Sequence, residues 1–207
     1  MRAIVTEWLS GQDLYRRVVL EKIAHARESV WISTANVKEM YVEQDGEFRS
    51  ILELFEKLAA RGVSLRLLHA DLPSRPFRKA FDRKERLVRG GLELKICPRV
   101  HFKAVIVDGA WVYLGSANLT GAGLGAKGPD KRNFEVGFVT EDFDTIDRTS
   151  ALFESVWSGA ECKGCKLYDL CPDPIGKGPA KKPRARGGRG SRKPPVGIEL
   201  GRSRRLR

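Results

Sequence analysis

Residues 101–118 read HFKAVIVDGAWVYLGSAN, two apolar runs joined by a turn signal. Residues 103–107 (KAVIV) and 111–114 (WVYL) are apolar and rich in β-branched and aromatic side chains, which suits buried strands. Between them Asp108-Gly109 is a hairpin signal, because a tight turn of this type needs positive φ at both central positions. The two strands therefore return alongside one another. His101 and Lys103 are two residues apart, so on a strand they point to the same face. Gly115-Ser116 and Asn118 arrive beside them from the second strand. An imidazole, an ammonium, a hydroxyl and an amide thus converge, a set suited to a nucleophile with donors around a tetrahedral phosphate.

Outward from the hairpin, helical and strand patterns alternate. Strand-like runs occupy 29–37 (SVWISTANV), 63–69 (VSLRLLH), 92–96 (LELKI) and 134–140 (FEVGFVT). Helical spacing marks 11–25, 49–61, 76–89 and 144–157. The pattern predicts an α/β domain with a mixed β-sheet flanked by helices. The glycine-rich 121–128 (GAGLGAKG) lacks a phosphate-loop G-K-[ST] and reads as a flexible loop beside the site.

The chain has 207 residues and a net charge of +12. Twelve Lys and Arg against the single acid Glu199 place +11 of that charge in 176–207, which leaves +1 for the rest. Such a Pro-, Gly- and Arg-rich tail cannot bury enough apolar surface to fold alone, and its charge attracts polyanions such as nucleic acid. The expected division is a catalytic domain at 1–157, a cysteine-rich segment at 158–175 and a disordered basic tail at 176–207. No apolar run reaches membrane-spanning length, so membrane insertion is not expected. The opening MRAIVTEWLSGQDLYRR lacks the apolar stretch of a signal peptide, so a cytoplasmic location is the expectation.

The run from His101 to Asn118 fits H-x-K-x4-D-x6-G-S-x-N without departure, and this resembles the signature of the phospholipase D superfamily. Six fixed identities make a chance match roughly 10⁻⁸ per starting position. The resemblance extends over most of 1–157. It implies a phospholipase D-like α/β/α fold and a phosphodiesterase, with an endonuclease as the expected type. In that chemistry His101 attacks phosphorus and forms a phosphohistidine. Lys103 and Asn118 stabilise charge on the non-bridging oxygens, with Ser116 assisting. Glu135, in Asn133-Phe134-Glu135, is similar to the family's downstream acid and would hydrogen-bond and orient His101. Asp108 reads as a polar anchor of the turn. No cofactor is needed for catalysis in this reading.

A second histidine must protonate the leaving group and activate water. The chain has three histidines, and neither His25 nor His69 begins another H-x-K. Single-motif relatives imply a homodimer that places two His101 side chains across a twofold axis. Two other readings stand beside a nuclease. One is a phospholipase D-type phospholipid hydrolase, and the other a non-catalytic nucleic-acid-binding subunit.

Cys162, Cys165 and Cys171 form C-x2-C-x5-C, and Cys97 lies four residues before His101. The spacing suggests a structural metal site with Cys97 as fourth ligand; a [4Fe–4S] cluster and Zn²⁺ both suit thiolates. The triplet also resembles the C-terminal cluster ligands of some iron–sulfur nucleases.

Overall fold

The computed structural model describes residues 2–176. The expected disordered tail, apart from Gly176, lies outside the described residues.

Nine strands form among the described residues: β1 (Glu7–Ser10), β2 (Ser29–Thr34), β3 (Tyr41–Gln44), β4 (Glu47–Ser50), β5 (Ser64–His69), β6 (Glu93–Ile96), β7 (Lys103–Val107), β8 (Trp111–Gly115) and β9 (Val136–Thr140). Seven make one sheet in the order β1-β9-β8-β7-β2-β5-β6. β2, β5 and β6 run parallel, while β7, β8, β9 and β1 alternate antiparallel. This mixed sheet is flanked by helices on both faces, as the alternating pattern predicted. β7 is buried at all five positions, as a central strand covered on both faces must be.

One face of β7, carrying Val105 and Val107, joins the large core with Val30, Ile32, Leu65 and Leu67. The helical run after β1 covers that face. It starts as α1 (Gln12–Leu14), widens into a π-helical stretch (Tyr15–Lys22) and tightens into a 3₁₀ turn (Ile23–His25). Its buried Leu14, Val18, Val19 and Ile23 recur at helical spacing. The amphipathic α2 (Ile51–Ala60) adds Ile51, Leu52, Phe55 and Leu58 to the same core. Each such fully buried side chain contributes roughly 1.5–3 kcal/mol. Ser50 caps α2 by accepting from the Leu52 amide at 3.1 Å.

The opposite face carries Ile106, Val112 and Leu68. There α4 (Phe143–Trp157) lays down Ile146, Phe153 and Trp157. Trp31 stacks on Phe153 at 5.3 Å between ring centroids, and Phe153 on Trp157 at 5.5 Å. Asp142 caps α4 through the Thr145 amide at 3.0 Å.

Three local expectations change. The helix expected over 76–89 is split into α3 (Arg75–Phe81) and a short π-helical turn (Leu87–Gly91), which Gly90 ends at φ 103°. β3 and β4 form a small separate hairpin that the hydrophobic pattern did not reveal. Glycines 121–125 are packed, not loose: Leu124 is buried, and a Cβ on Gly123 would stand 2.6 Å from the Asn118 carbonyl oxygen. The glycines serve close backbone approach there.

Candidate active site

The topology brings the motif to one edge of the sheet. Thr34, His69 and Ile96 end the three parallel strands in register. The antiparallel partners place the start of β7, the end of β8 and the start of β9 at the same edge, with Lys103 opposite Gly115 and Gly115 opposite Gly137. The carboxyl ends of parallel strands are where α/β sheets bind ligands. His101, Ser116, Asn118 and Glu135 lie on the connections just beyond those ends.

The hairpin between β7 and β8 is built as its sequence demands. Asp108 and Gly109 have φ 53° and 60°, both in the left-handed region. The Asp108 carboxylate accepts the backbone N–H groups of Arg27, Glu28 and Ser29 at 2.8–3.1 Å. Burial alone would raise its pKa, but those three donors outweigh burial and hold it below the usual carboxylate range. Asp108 therefore pins the hairpin to the start of β2 at the end of the sheet remote from His101.

His101 is not on the strand. β7 begins at Lys103, and His101 belongs to the preceding irregular connection, so a shared strand face is not what joins the pair. The lysine itself makes the link. Lys103 is 8% exposed, and its Nζ donates to the His101 carbonyl at 2.6 Å and lies 3.4 Å from His101 Nδ1. His101 is solvent-exposed.

Asn118 is locked by a network that the motif alone did not predict. Its Oδ1 accepts from the Thr34 hydroxyl at 3.1 Å and from the Ala35 and Asn36 amides at 3.0 and 3.2 Å. Two of those donors are backbone N–H groups, so this atom is the oxygen and the amide NH₂ faces the other way. Thr34 Oγ also accepts from the Leu119 amide at 3.0 Å, tying the end of β2 to the segment that carries Asn118. Thr34 is 1% exposed, and a threonine ending an apolar strand gave no sequence signal for this role.

Ser116 and Glu135 meet directly. The serine hydroxyl donates to the Glu135 carboxylate, and the Val136 amide donates back to Ser116 Oγ at 3.1 Å. Asn133 Nδ2 holds the other carboxylate oxygen at 3.1 Å. Among the described residues no hydrogen bond joins Glu135 to His101, so the orienting bond expected for the acid is replaced by one to Ser116. Beneath the pair lies Tyr113. Burial, opposed by the Ala117 amide and reinforced by nearby Glu135, pushes its hydroxyl up to about 12. Gly115 is required by that ring: a Cβ would stand on the Tyr113 hydroxyl and 2.6 Å from the Val136 carbonyl oxygen.

Among the described residues neither of the other two histidines hydrogen-bonds to the motif's side chains. His25 Nδ1 is 3.0 Å from the Leu20 carbonyl oxygen. His69 is 1% exposed, with Nδ1 2.8 Å from the Asp71 carbonyl oxygen, and burial pushes its pKa down. The four cysteines are all half-buried and line one shared cavity, away from the motif's side chains. Among the described residues no helix is long and apolar enough to cross a membrane.

The family model described as "Cardiolipin synthase, PLD-like domain" matches residues 19–157. Among proteins with curated descriptions, none matches the sequence. Solved structures share the fold. NucT from Helicobacter pylori superposes with a TM-score of 0.55 at 17% identity, over 75% of this chain and 96% of that one. Nuc from Salmonella typhimurium, a phospholipase D family member, gives 0.54 at 18% over 74% and 95%. Phosphatidylserine synthase from Haemophilus influenzae gives 0.54 at 12% over 73% of this chain but 37% of its own length.

Proposed function

The chain belongs to the phospholipase D-like family, and we propose that it is a phosphodiesterase that cleaves nucleic acid through a covalent intermediate on His101. The observation that supports this reading is the position of His101, Lys103, Ser116 and Asn118 at or just beyond the carboxyl edge of the sheet, with the Lys103 ammonium bonded to the His101 carbonyl. In the first step His101 bonds to phosphorus as the P–O bond to the leaving group breaks. The leaving oxygen takes a proton from the partner subunit's His101. That second imidazole then takes a proton from water, whose oxygen attacks phosphorus and releases His101. Lys103 and the Asn118 NH₂ offset the negative charge on the non-bridging oxygens. Ser116, held by Glu135, is placed to assist.

Dimerisation follows from arithmetic in this mechanism. Two imidazoles are needed, His69 is buried, and His25 lies at the end of the helical run after β1. A second copy of the chain supplies the missing group. Nucleic acid is favoured over lipid by charge: the basic segment beyond residue 176 suits attraction to a polyphosphate backbone.

A phospholipid substrate is the second reading. The matched family model and one structural neighbour carry the names of phospholipid synthases. Purified full-length chain, with and without EDTA, should be offered single-stranded DNA, duplex DNA, RNA and phosphatidylcholine vesicles. The proposal expects strand cleavage that His101→Ala abolishes. Headgroup release without strand cleavage would move the assignment to phospholipids. Nucleic-acid binding without turnover on any substrate would leave a binding subunit. Deleting 177–207 should weaken nucleic-acid affinity and flatten its salt dependence, and an unchanged salt slope would remove the charge argument.

A further inference from the structure

We propose that Cys97, Cys162, Cys165 and Cys171 together bind a thiolate-held metal centre that staples the segment after α4 onto the loop carrying His101. The four are every cysteine in the chain, and all line a single cavity of about 30 Å³. Three come from residues 162–171, and the fourth comes from the connection between β6 and β7.

The packing of the segment gives the reason. From Ser158 to Gly176 no residue is buried, and Leu167 and Leu170 are exposed. The chain nevertheless holds a defined path through two 3₁₀ turns (Ala160–Cys162 and Tyr168–Leu170). Ordering a residue costs about 1–2 kcal/mol of backbone entropy, so a stretch of this length without a core needs a cross-link. Its polar ties to the domain are few: Asp173 accepts from the Ile96 amide at 3.4 Å, and Arg99 donates to the Glu161 carbonyl at 3.4 Å. Cysteines make up three of the segment's half-buried, inward-facing side chains. A metal shared with Cys97 supplies the missing constraint, as structural thiolate sites do in other coreless segments.

Cys97 fixes where that constraint acts. Its N–H donates to the His69 carbonyl at 2.8 Å, and its carbonyl accepts from the Val100 amide at 2.9 Å. Val100, 3% exposed, packs with Phe153 and Trp157 next to His101. The staple therefore bears on the connection that presents the nucleophile. Among the described residues no three His, Cys, Asp or Glu side chains already surround one point as ligands of a single ion. Thiols distributed around a cavity suit a polynuclear centre as well as an ion toward which they turn.

The test is metal content, which is independent of the catalytic reading. Full-length chain is purified without oxygen and assayed for zinc, iron and acid-labile sulfide, and in parallel is reconstituted with Zn²⁺ or with Fe²⁺ and sulfide. About one zinc per chain, or about four irons with a broad absorption band near 400 nm, supports the site and identifies its occupant. Cys97→Ser and Cys165→Ser should each lower the content at least about fivefold while the unfolding midpoint of the main domain holds. Amide exchange across 97–101 and 158–176 should speed up at least about tenfold in the stripped wild type. Absence of metal both as isolated and after reconstitution overturns the proposal. So do disulfides found in the oxygen-free protein, or identical exchange with and without metal.

Discussion

Lys103 Nζ is bonded to the carbonyl oxygen of His101 at 2.6 Å and lies 3.4 Å from the same residue's Nδ1. One buried ammonium thus holds the backbone that presents the imidazole and stands beside the ring. Lys103→Met keeps the stem in its apolar slot and removes the charge. It should lower kcat about 10²–10³-fold, the typical loss for one preorganised donor to transition-state charge. The thermal midpoint should move little. Wild-type turnover in this variant, measured on a chromogenic phosphodiester, would remove Lys103 from the site.

Thr34 acts through Asn118 and is a positioning residue. Thr34→Val keeps the shape but loses the hydroxyl that donates to Asn118 Oδ1 and accepts from the Leu119 amide. Leaving those buried groups short of a partner costs roughly 1–3 kcal/mol. With the amide less fixed, kcat should fall by about tenfold while KM stays near its wild-type value, because the donor acts on developing charge. Thr34→Ser restores the hydroxyl and should restore most of kcat. Equal loss in both variants would show that packing, not the hydroxyl, is at issue.

These two residues mark how far the sequence could be read. Turn chemistry marked the β7–β8 hairpin, and the alternation of helical and strand patterns marked the mixed sheet, because strand period and turn chemistry are local properties. Thr34 escaped because its role depends on a bond across 84 residues of sequence, and nothing local distinguishes it from a core threonine. Glu135 was placed at the site by its position after the motif, but its partner is Ser116, and side-chain pairing is decided by loop paths that carry no periodicity. The β3–β4 hairpin does carry a local signal: Asp45-Gly46, at φ 55° and 79°, repeats the turn chemistry of Asp108-Gly109. The short flanking strands concealed it.

Gly115 tests whether the Tyr113 ring sets the shape of the site. Gly115→Ala places a methyl on the tyrosine hydroxyl and against the Val136 carbonyl, neither of which can move without shifting β8 from β9. Overpacking of this kind costs about 1–3 kcal/mol. At about 2–4 °C per kcal/mol for a chain of this size, the thermal midpoint should fall visibly. Gly115→Ala with Tyr113→Phe should recover part of the loss, since the hydroxyl is the first atom struck. A double variant no more stable than the single one would place the constraint in the backbone alone.

Asp108 gives the pH dependence a definite sign. Its carboxylate is held below the ordinary 3.8, because bonds from Ser29, Glu28 and Arg27 outweigh the opposing effect of burial. A depressed folded-state pKa stabilises the fold fully above the unfolded value, and that contribution is lost as pH falls through 3.8 toward the folded one. Asp108→Asn tolerates the left-handed backbone, so the turn survives while the charge and one acceptor are lost. The variant should be less stable than wild type by about 1–2 kcal/mol at neutral pH, the size of hydrogen bonds to a charged acceptor. The difference should persist to about pH 5 and shrink toward about pH 3, as urea unfolding across that range would read directly. A gap that stays constant through the acid range would mean that the carboxylate's charge is irrelevant to the anchor. Catalysis in the variant should follow stability alone, since the hairpin tip lies at the end of β7 opposite His101.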